Sequence, residues 1–133
     1  MTLNCLTNLM EVDKMNYIII AGSRHFNNYN YLKEKCDHCL KNLPPAEITI
    51  ISGTAKGADT LGELYAKNNN IPVLRFPARW DIYDKSAGPI RNRAMAHIAT
   101  HLIAFKYPNS RGTQAMVDIA TQHGLKIRVF DCD

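Results

Sequence analysis

The sequence predicts a single Rossmann-like α/β domain of the three-layer α/β/α type, built on a mainly parallel five-stranded sheet. One observation is a set of five short runs rich in β-branched and aromatic residues, and another is that helix-length segments separate all five. A length of 133 residues with 46% hydrophobic content suits one core rather than two. The predicted strands cover residues 17–21, 48–51, 73–76, 102–105 and 127–130.

The first two predicted strands are nearly continuous in isoleucine, which is typical of parallel strands covered on both faces. The helix between them should end at Pro44 and Pro45, because proline cannot continue a helix. Its buried stripe is predicted from helical spacing. The residues of that stripe are Tyr29, Leu32, Cys36, Cys39, Leu40 and Leu43.

Three further helices follow the later strands. The second should begin near Gly57, the third at Pro89, which is favoured as a first helical residue, and the fourth at Gly112 and Thr113. The second and fourth helices show apolar residues at helical spacing, which predicts their buried faces. These residues are Ala58, Leu61, Leu64 and Tyr65 in the second helix and Ala115, Met116, Ile119 and Ala120 in the fourth.

Residues 77–88 form an unusually long connection between a strand and a helix. Loops of this length are usually functional, and this one holds the single tryptophan, Trp80, beside Arg79, Asp81 and Asp84. Such a mixture can stack on a base and bind an anion. The alternative is a surface loop in which Trp80 merely covers the core.

Residues 1–16 are predicted to be an N-terminal appendage to a ligand-binding domain of residues 17–133. No apolar run approaches the roughly 18 residues that a membrane helix needs, so no membrane partner is expected. The N-terminus does not resemble a secretory signal, and the four cysteines are too irregularly spaced for a disulfide framework. We therefore expect a cytoplasmic protein. The net charge of +4 is too small to indicate a class of partner.

Glycine-bearing turns follow the first four predicted strands. Parallel strands bring their following turns to one edge of the sheet, where ligands bind at the reversal of strand order. Glycine allows close backbone approach, and the next helix directs its positive end to the same place, which favours a phosphate. Each turn alone is weak evidence. The predicted contacts from these turns are Gly22, Ser23, Arg24, Gly53, Gly57, Gly88, Arg111, Gly112 and Thr113.

Arg91, Asn92 and Asp59 are further candidates. Arg91 falls in the first turn of the helix predicted from Pro89, where a cation opposes the helix dipole unless an anion is bound; a solvated arginine is the alternative. Asn92 shares its helical face. Asp59 could accept hydrogen bonds from ribose hydroxyls, although the dipole favours an acid there in any case.

The run Cys36, Asp37, His38 and Cys39 contains residue types that can bind a metal. A structural zinc needs four ligands, and no second pair follows at suitable spacing. Both cysteines also lie on the apolar stripe of the first helix, so core thiols are predicted. No metal and no cofactor are therefore expected.

The succession of motifs resembles the YspA-type branch of the SLOG superfamily over about residues 17–130. The resemblance rests on segments 20–24, 53–59, 76–80, 87–95, 104–105 and 111–117. It implies a Rossmann-like fold, a nucleotide-type ligand and a homo-oligomer. The superfamily also includes the Lonely Guy phosphoribohydrolases and DprA-like proteins that bind single-stranded DNA.

Resemblance to the hydrolases places their catalytic glutamate at Met116, and a thioether cannot transfer protons. The sequence therefore favours a binding protein over an enzyme. The protein would be a sensor, carrier or sequestering protein for a phosphate-bearing nucleotide or NAD-derived molecule. One alternative is a hydrolase of an N-glycosidic or phosphate bond that uses Asp59, Asp81 or Asp84. A second is DprA-like binding of single-stranded DNA. Because the basic residues are dispersed, nucleic acid is not expected as a partner.

Overall fold

The computed structural model describes residues 14–132 and contains one five-stranded sheet in which all neighbouring strands are parallel. All five predicted strands are present, and the single Rossmann-like α/β domain is confirmed. The strands are β1 (Asn16–Gly22), β2 (Ile48–Ser52), β3 (Val73–Arg75), β4 (His101–Lys106) and β5 (Lys126–Asp131).

Five α-helices connect these strands, together with 3₁₀ turns at Pro45–Glu47 and Asp84–Ser86. The first helix begins where the side chain of Asn28 accepts a hydrogen bond from the backbone N–H of Tyr31 at 3.0 Å. The helices are α1 (Tyr29–Leu40), α2 (Ala58–Asn68), α3 (Trp80–Tyr83), α4 (Ala87–Ile98) and α5 (Arg111–Gln122).

The strand order is β3-β2-β1-β4-β5. The chain adds strands in one direction from β1 to β3, then returns to place β4 on the other side of β1. Since the two halves run away from each other, a crevice opens beyond the carboxyl ends of β1 and β4. This reversal is where open α/β sheets bind their ligands.

Helices cover both faces of the sheet. Alternate residues of β1 enter two core clusters: Ile18 and Ile20 pack on the α1 and α2 side, whereas Ile19 packs on the α4 and α5 side. Cys36 is buried among the first cluster and Cys39 packs against it, as predicted for core thiols. Burial raises the pKa of the Cys36 thiol, which keeps it protonated.

Three helices depart from the predicted buried stripes or starting points. Leu64 of α2 and Ala115 of α5 are exposed rather than buried. The helix α4 begins at Ala87, two residues before Pro89, because proline is tolerated throughout the first turn, where the N–H groups have no helical acceptor. The long connection is not an irregular loop but folds into α3 and a 3₁₀ turn.

The predicted appendage lies largely outside the described residues, and Asn16 already belongs to β1. Within residues 14–132, no helix is both long and apolar enough to cross a bilayer. The same residues hold no group of three or more His, Cys, Asp or Glu side chains arranged to share a metal ion.

Candidate functional site

A cleft of about 590 Å³ lies at the carboxyl ends of β1 and β4, where the strand order reverses. The turn after β1, the start of α4 and the start of α5 form its walls. Eleven of the thirteen predicted contact residues line it. They are Gly22, Ser23, Arg24, Asp59, Trp80, Gly88, Arg91, Asn92, Arg111, Gly112 and Thr113.

The other two predicted contacts, Gly53 and Gly57, do not line the cleft. Gly57 has a φ of 79°, and a Cβ there would lie 2.3 Å from the carbonyl oxygen of Ser23. A Cβ on Gly53 would lie 2.7 Å from Asp59 Oδ2 and 2.8 Å from Arg91 Nη1. Both glycines therefore permit close packing within the protein, and their positions give no support to the prediction that they contact a ligand.

The turn between β2 and α2 uses its backbone donors internally. The N–H of Thr54 donates to Ser52 Oγ at 3.0 Å, and that of Ala55 donates to Asp59 Oδ2 at 3.1 Å. The N–H of Ala58 donates to the carbonyl of Ser23 at 3.2 Å. Because these three N–H groups already have acceptors, they are not available to bind a phosphate.

The first turn of α5 differs from that of α2. The hydroxyl of Ser110, the residue preceding the helix, accepts from the N–H of Tyr107 at 3.2 Å instead of capping α5. A Cβ on Gly112 would meet no atom of the described residues within 4 Å. The positive end of α5 therefore faces open space in the cleft, between Arg111 and Thr113.

Arg91 holds the neighbouring turn in place. It is the fifth residue of α4 rather than a first-turn residue, so the predicted conflict with the helix dipole does not arise. Its Nη1 donates to the carbonyl of Gly53, and its Nε donates to Asn92 Oδ1 at 2.8 Å. Burial lowers the pKa of the guanidinium and nearby Asp59 partly offsets the shift. Arg91 therefore makes at least two hydrogen bonds within the protein, through Nε and Nη1.

Asp59 is a buried carboxyl at the edge of the cleft. Burial raises its pKa from 3.8 to about 6, against the lowering effects of the Ala55 N–H and Arg91. Glu63 also raises it, and Glu63 itself accepts from Ser52 Oγ at 2.6 Å and from Arg75 Nε at 2.8 Å. Asp59 can therefore change its protonation state near neutral pH.

Trp80 is 60% exposed, and its ring lies over Gly88. This exposure does not fit the alternative in which Trp80 covers the core. The two other weak catalytic candidates are away from the cleft lining: Asp81 is exposed and pairs with Arg79 at 3.0 Å, and exposed Asp84 lies in the following turn. Neither is placed for chemistry on a ligand in the cleft.

The cleft floor includes two buried methionines, Met95 and Met116, each 2% exposed. Met95, His25, Asn109 and Ser110 also line the cleft, although none of the four was predicted as a contact. His25, Asn109 and Ser110 directly adjoin predicted turns, so longer turn boundaries would have included them. Met95 lies four residues after Arg91 in α4, a helical spacing that places the two side chains on one face and could have identified it.

Solved structures with a similar fold are DNA processing proteins. DprA from Streptococcus pneumoniae matches with a TM-score of 0.68 and 21% identity over 92% of this chain, which spans 52% of that protein. DprA from Helicobacter pylori, described by its single-stranded DNA binding mode, matches with a TM-score of 0.63 and 18% identity, covering 90% and 67% of the two chains. At these identities the likeness shows the fold. No curated protein sequence gives a significant match.

These relatives correct one expectation from the sequence. Nucleic acid was not expected as a partner because the basic residues are dispersed along the chain. Both solved structures above are DNA processing proteins, and one binds single-stranded DNA, so that expectation is contradicted. Dispersion in sequence is a poor guide here, because the fold brings Arg24, Arg91 and Arg111 into one cleft.

A family model supplies the closer assignment. It describes the YspA, cpYpsA-related SLOG family and matches residues 17–83, which run from β1 through α3. This span includes the turns that follow β1 and β2. The match covers half of the chain, and the chain therefore belongs to the YspA, cpYpsA-related SLOG family.

Proposed function

We propose that this protein binds a phosphate-bearing nucleotide or NAD-derived small molecule in the cleft, as a sensor, carrier or sequestering protein. The observation that carries the proposal is the first turn of α5, which lacks a side-chain cap and faces open space above Gly112. An anion at this position would accept hydrogen bonds from backbone N–H groups and interact favourably with the helix dipole.

Two arginines support a phosphate at the start of α5. Arg24 and Arg111 line the same cleft, and the structure gives neither side chain a carboxylate partner within 4 Å among residues 14–132. Guanidinium groups match the geometry of phosphate oxygens and can bind them in pairs. Arg91 has the secondary role of holding the Gly53 turn.

The rest of a nucleotide fits the remaining walls. The exposed ring of Trp80 offers a surface on which a base can stack. Asp59 lines the cleft and, when ionised, can accept hydrogen bonds from ribose hydroxyls. These two contacts would distinguish a nucleotide from a simple phosphate.

Binding without turnover is the favoured form of the proposal. Of the described residues lining the cleft, Asp59 alone is acidic. Met116, which the resemblance to the hydrolases aligns with their glutamate, is buried. A hydrolytic role would therefore have to use Asp59 for proton transfer. Recovery of the intact ligand after incubation separates the two forms.

Single-stranded DNA binding is a second candidate. The fold likeness to DprA and the exposed Trp80 favour it, because aromatic rings that stack on bases are common in single-strand binding proteins. The same cleft would then hold one nucleotide unit of a longer strand. Competition between AMP and a thymidine decamer tests whether both use this cleft.

The experiment is a thermal-shift panel of nucleoside monophosphates, ADP-ribose, NAD, cyclic nucleotides and the decamer, with mass spectrometry of each recovered compound. A ligand at about a hundredfold excess over its Kd should stabilise the domain by roughly 2.7 kcal/mol. Gly112→Asp should abolish the shift, because a carboxylate would occupy the anion position while still favouring the helix.

Gly112→Asn is the matched control, because it has the same shape without the charge. We expect it to retain far more binding than Gly112→Asp. Absence of a shift across the whole panel, or equal binding by both variants, would count against a phosphate at the start of α5. Recovery of a cleaved compound would make the protein an enzyme.

A further inference from the structure

A second cleft of about 430 Å³ lies at the amino-terminal ends of β4 and β5, on the opposite side of the sheet from the strand ends that form the first cleft. The last turn of α1 forms one wall, from His38 to Lys41, and the starts of the two strands form the other. The six residues of β4 span roughly 17 Å between the amino-terminal and carboxyl ends of the strand. This cleft is therefore distinct from the one described above.

The strand register brings basic residues together in this cleft. His101 pairs with Lys126, and Ile103 pairs with Arg128. Residues two apart on a strand share a face, and Ile103 belongs to the core cluster on the α1 side. The side chains of Lys126 and Arg128 consequently lie on the same face as α1.

The lining is basic and lacks a neutralising acid. Lys41, Lys126 and Arg128 are joined by His38 and His101, and none of the described residues that line the cleft is acidic. No carboxylate of residues 14–132 lies within 4 Å of any of the three permanent cations. Arg128 and Lys126 also shift the pKa values of the neighbouring Cys39 thiol and His101 imidazole, respectively.

Two pKa shifts have contributions from this positive field. Burial raises the pKa of Cys39, and Arg128 opposes that shift by favouring the thiolate. Burial lowers the pKa of His101, and Lys126 lowers it further. Both charge effects have the sign that a site of positive potential produces.

The helix dipole accounts for only part of this arrangement. His38 and Lys41 lie near the carboxyl end of α1, where cations are favoured without any ligand. Lys126 and Arg128 belong to β5, so that explanation does not cover them. The cleft is also not simply polar, because Leu40 and Ile103, both buried, contribute to its lining.

We propose that this second cleft binds a small organic anion that has an apolar body. The anionic group would contact Lys126 and Arg128, with Lys41 on the opposite wall, and the apolar body would lie against Leu40 and Ile103. Convergent cations over an apolar floor are the usual composition of such a site. This inference is independent of the function proposed for the first cleft.

The test is a titration of the full chain with phenyl phosphate, followed by the backbone amide signals in NMR. We expect saturable shifts at residues 38–42, 101–103 and 126–128. Inorganic phosphate, which lacks the ring, should bind more weakly, and neutral benzyl alcohol should bind least. The double variant Lys126→Gln and Arg128→Gln should weaken phenyl phosphate binding at least about tenfold, because both charge contacts are lost.

A second double variant, Lys67→Gln and Arg93→Gln, removes the same charge from exposed positions that line neither cleft. It should leave the affinity within about twofold of the original protein, since distant exposed charges are screened. Equal weakening by both double variants, or shifts confined to the first cleft, would overturn the proposal. Shifts confined to the first cleft would at the same time support the function proposed there.

Discussion

Two glycines beside the first cleft should respond in opposite ways to a single added methyl group. Gly57 has a φ of 79° and no room beside the Ser23 carbonyl, so Gly57→Ala should destabilise the fold by about 2 to 4 kcal/mol. Gly112 lies in a helix with open space around it, so Gly112→Ala should be neutral or stabilising by up to about 1 kcal/mol. Urea unfolding of the two variants measures both effects.

The comparison is internally controlled because the two substitutions are chemically identical. A loss of stability in Gly112→Ala as large as that in Gly57→Ala would mean that the start of α5 is not open. Binding should also separate them. Ligand affinity in Gly112→Ala reports on the space above the helix without the complication of a damaged fold.

The raised pKa of Asp59 predicts that the free energy of unfolding depends on pH. Its folded pKa of about 6 exceeds its ordinary value of 3.8, so the folded state holds a proton that the unfolded state has lost. The stabilisation from the neutral carboxyl is complete below about pH 4 and is lost as the pH rises through about 6. The difference corresponds to roughly 3 kcal/mol.

Asp59→Asn isolates this contribution, because the amide keeps the shape and can still accept from the Ala55 N–H. Relative to the original protein, we expect the variant to gain stability between pH 4.5 and pH 7.5. Unfolding in urea at the two pH values gives the comparison. Parallel pH profiles for the two proteins would show that Asp59 does not titrate in this window.

At the scale of elements, the strands were predictable and the connections less so. Continuous apolar runs such as 18–20 and 102–105 are typical of buried parallel strands, and both proved to be strands. The start of α4 was misplaced because Pro89 is as acceptable at the third helical position as at the first. Leu64 and Ala115 follow helical spacing, but their helices turn those positions away from the sheet.

Glycine-rich turns were harder to interpret than the strands themselves. The sequence predicted that Gly53, Gly57 and Gly112 would all contact the ligand, since glycine in such turns permits close approach of any group. For Gly53 and Gly57 the approaching groups are Asp59, Arg91 and Ser23 of the protein itself. A local pattern cannot separate these cases, because the difference depends on which distant residue comes near.

Trp80, the first residue of the short helix α3, is predicted to stack on the base of a bound nucleotide. Trp80 is 60% exposed, so Trp80→Ala should change the free energy of unfolding by no more than about 1 kcal/mol. It should weaken AMP binding about tenfold, in line with the loss of base stacking, yet leave ribose 5-phosphate binding almost unchanged. Isothermal titration calorimetry with the two ligands provides the measurement.

Ribose 5-phosphate serves as the control ligand in that experiment because it retains the phosphate and sugar of AMP. If Trp80→Ala weakened both ligands equally, Trp80 would shape the cleft rather than stack on a base. If it weakened neither, the base would lie elsewhere.

At the scale of the whole molecule, the buried core and the first cleft overlap at only a few residues. Every residue from Ile18 to Ala21 and from Leu102 to Phe105 is buried, whereas β3 and β5 form the two edges of the sheet and are largely exposed. The cleft is built mainly from turns that follow these strands, and its lining shares only Ala21, Met95 and Met116 with the two core clusters. Folding and binding should therefore be separable in one experiment.

Hydrogen exchange measured by mass spectrometry tests this separation. Amides of β1, β2 and β4 should exchange most slowly, through openings that approach global unfolding, while amides of β3 and β5 should exchange faster although all five strands pair in the same sheet. A bound nucleotide should slow exchange most at residues 111–113, because those backbone donors would contact its phosphate, whereas the N–H groups of Ser110 and Gln114 already donate to backbone carbonyls. Protection spread evenly over all five strands would contradict the first expectation, and ligand-induced protection that excludes residues 111–113 would contradict the second.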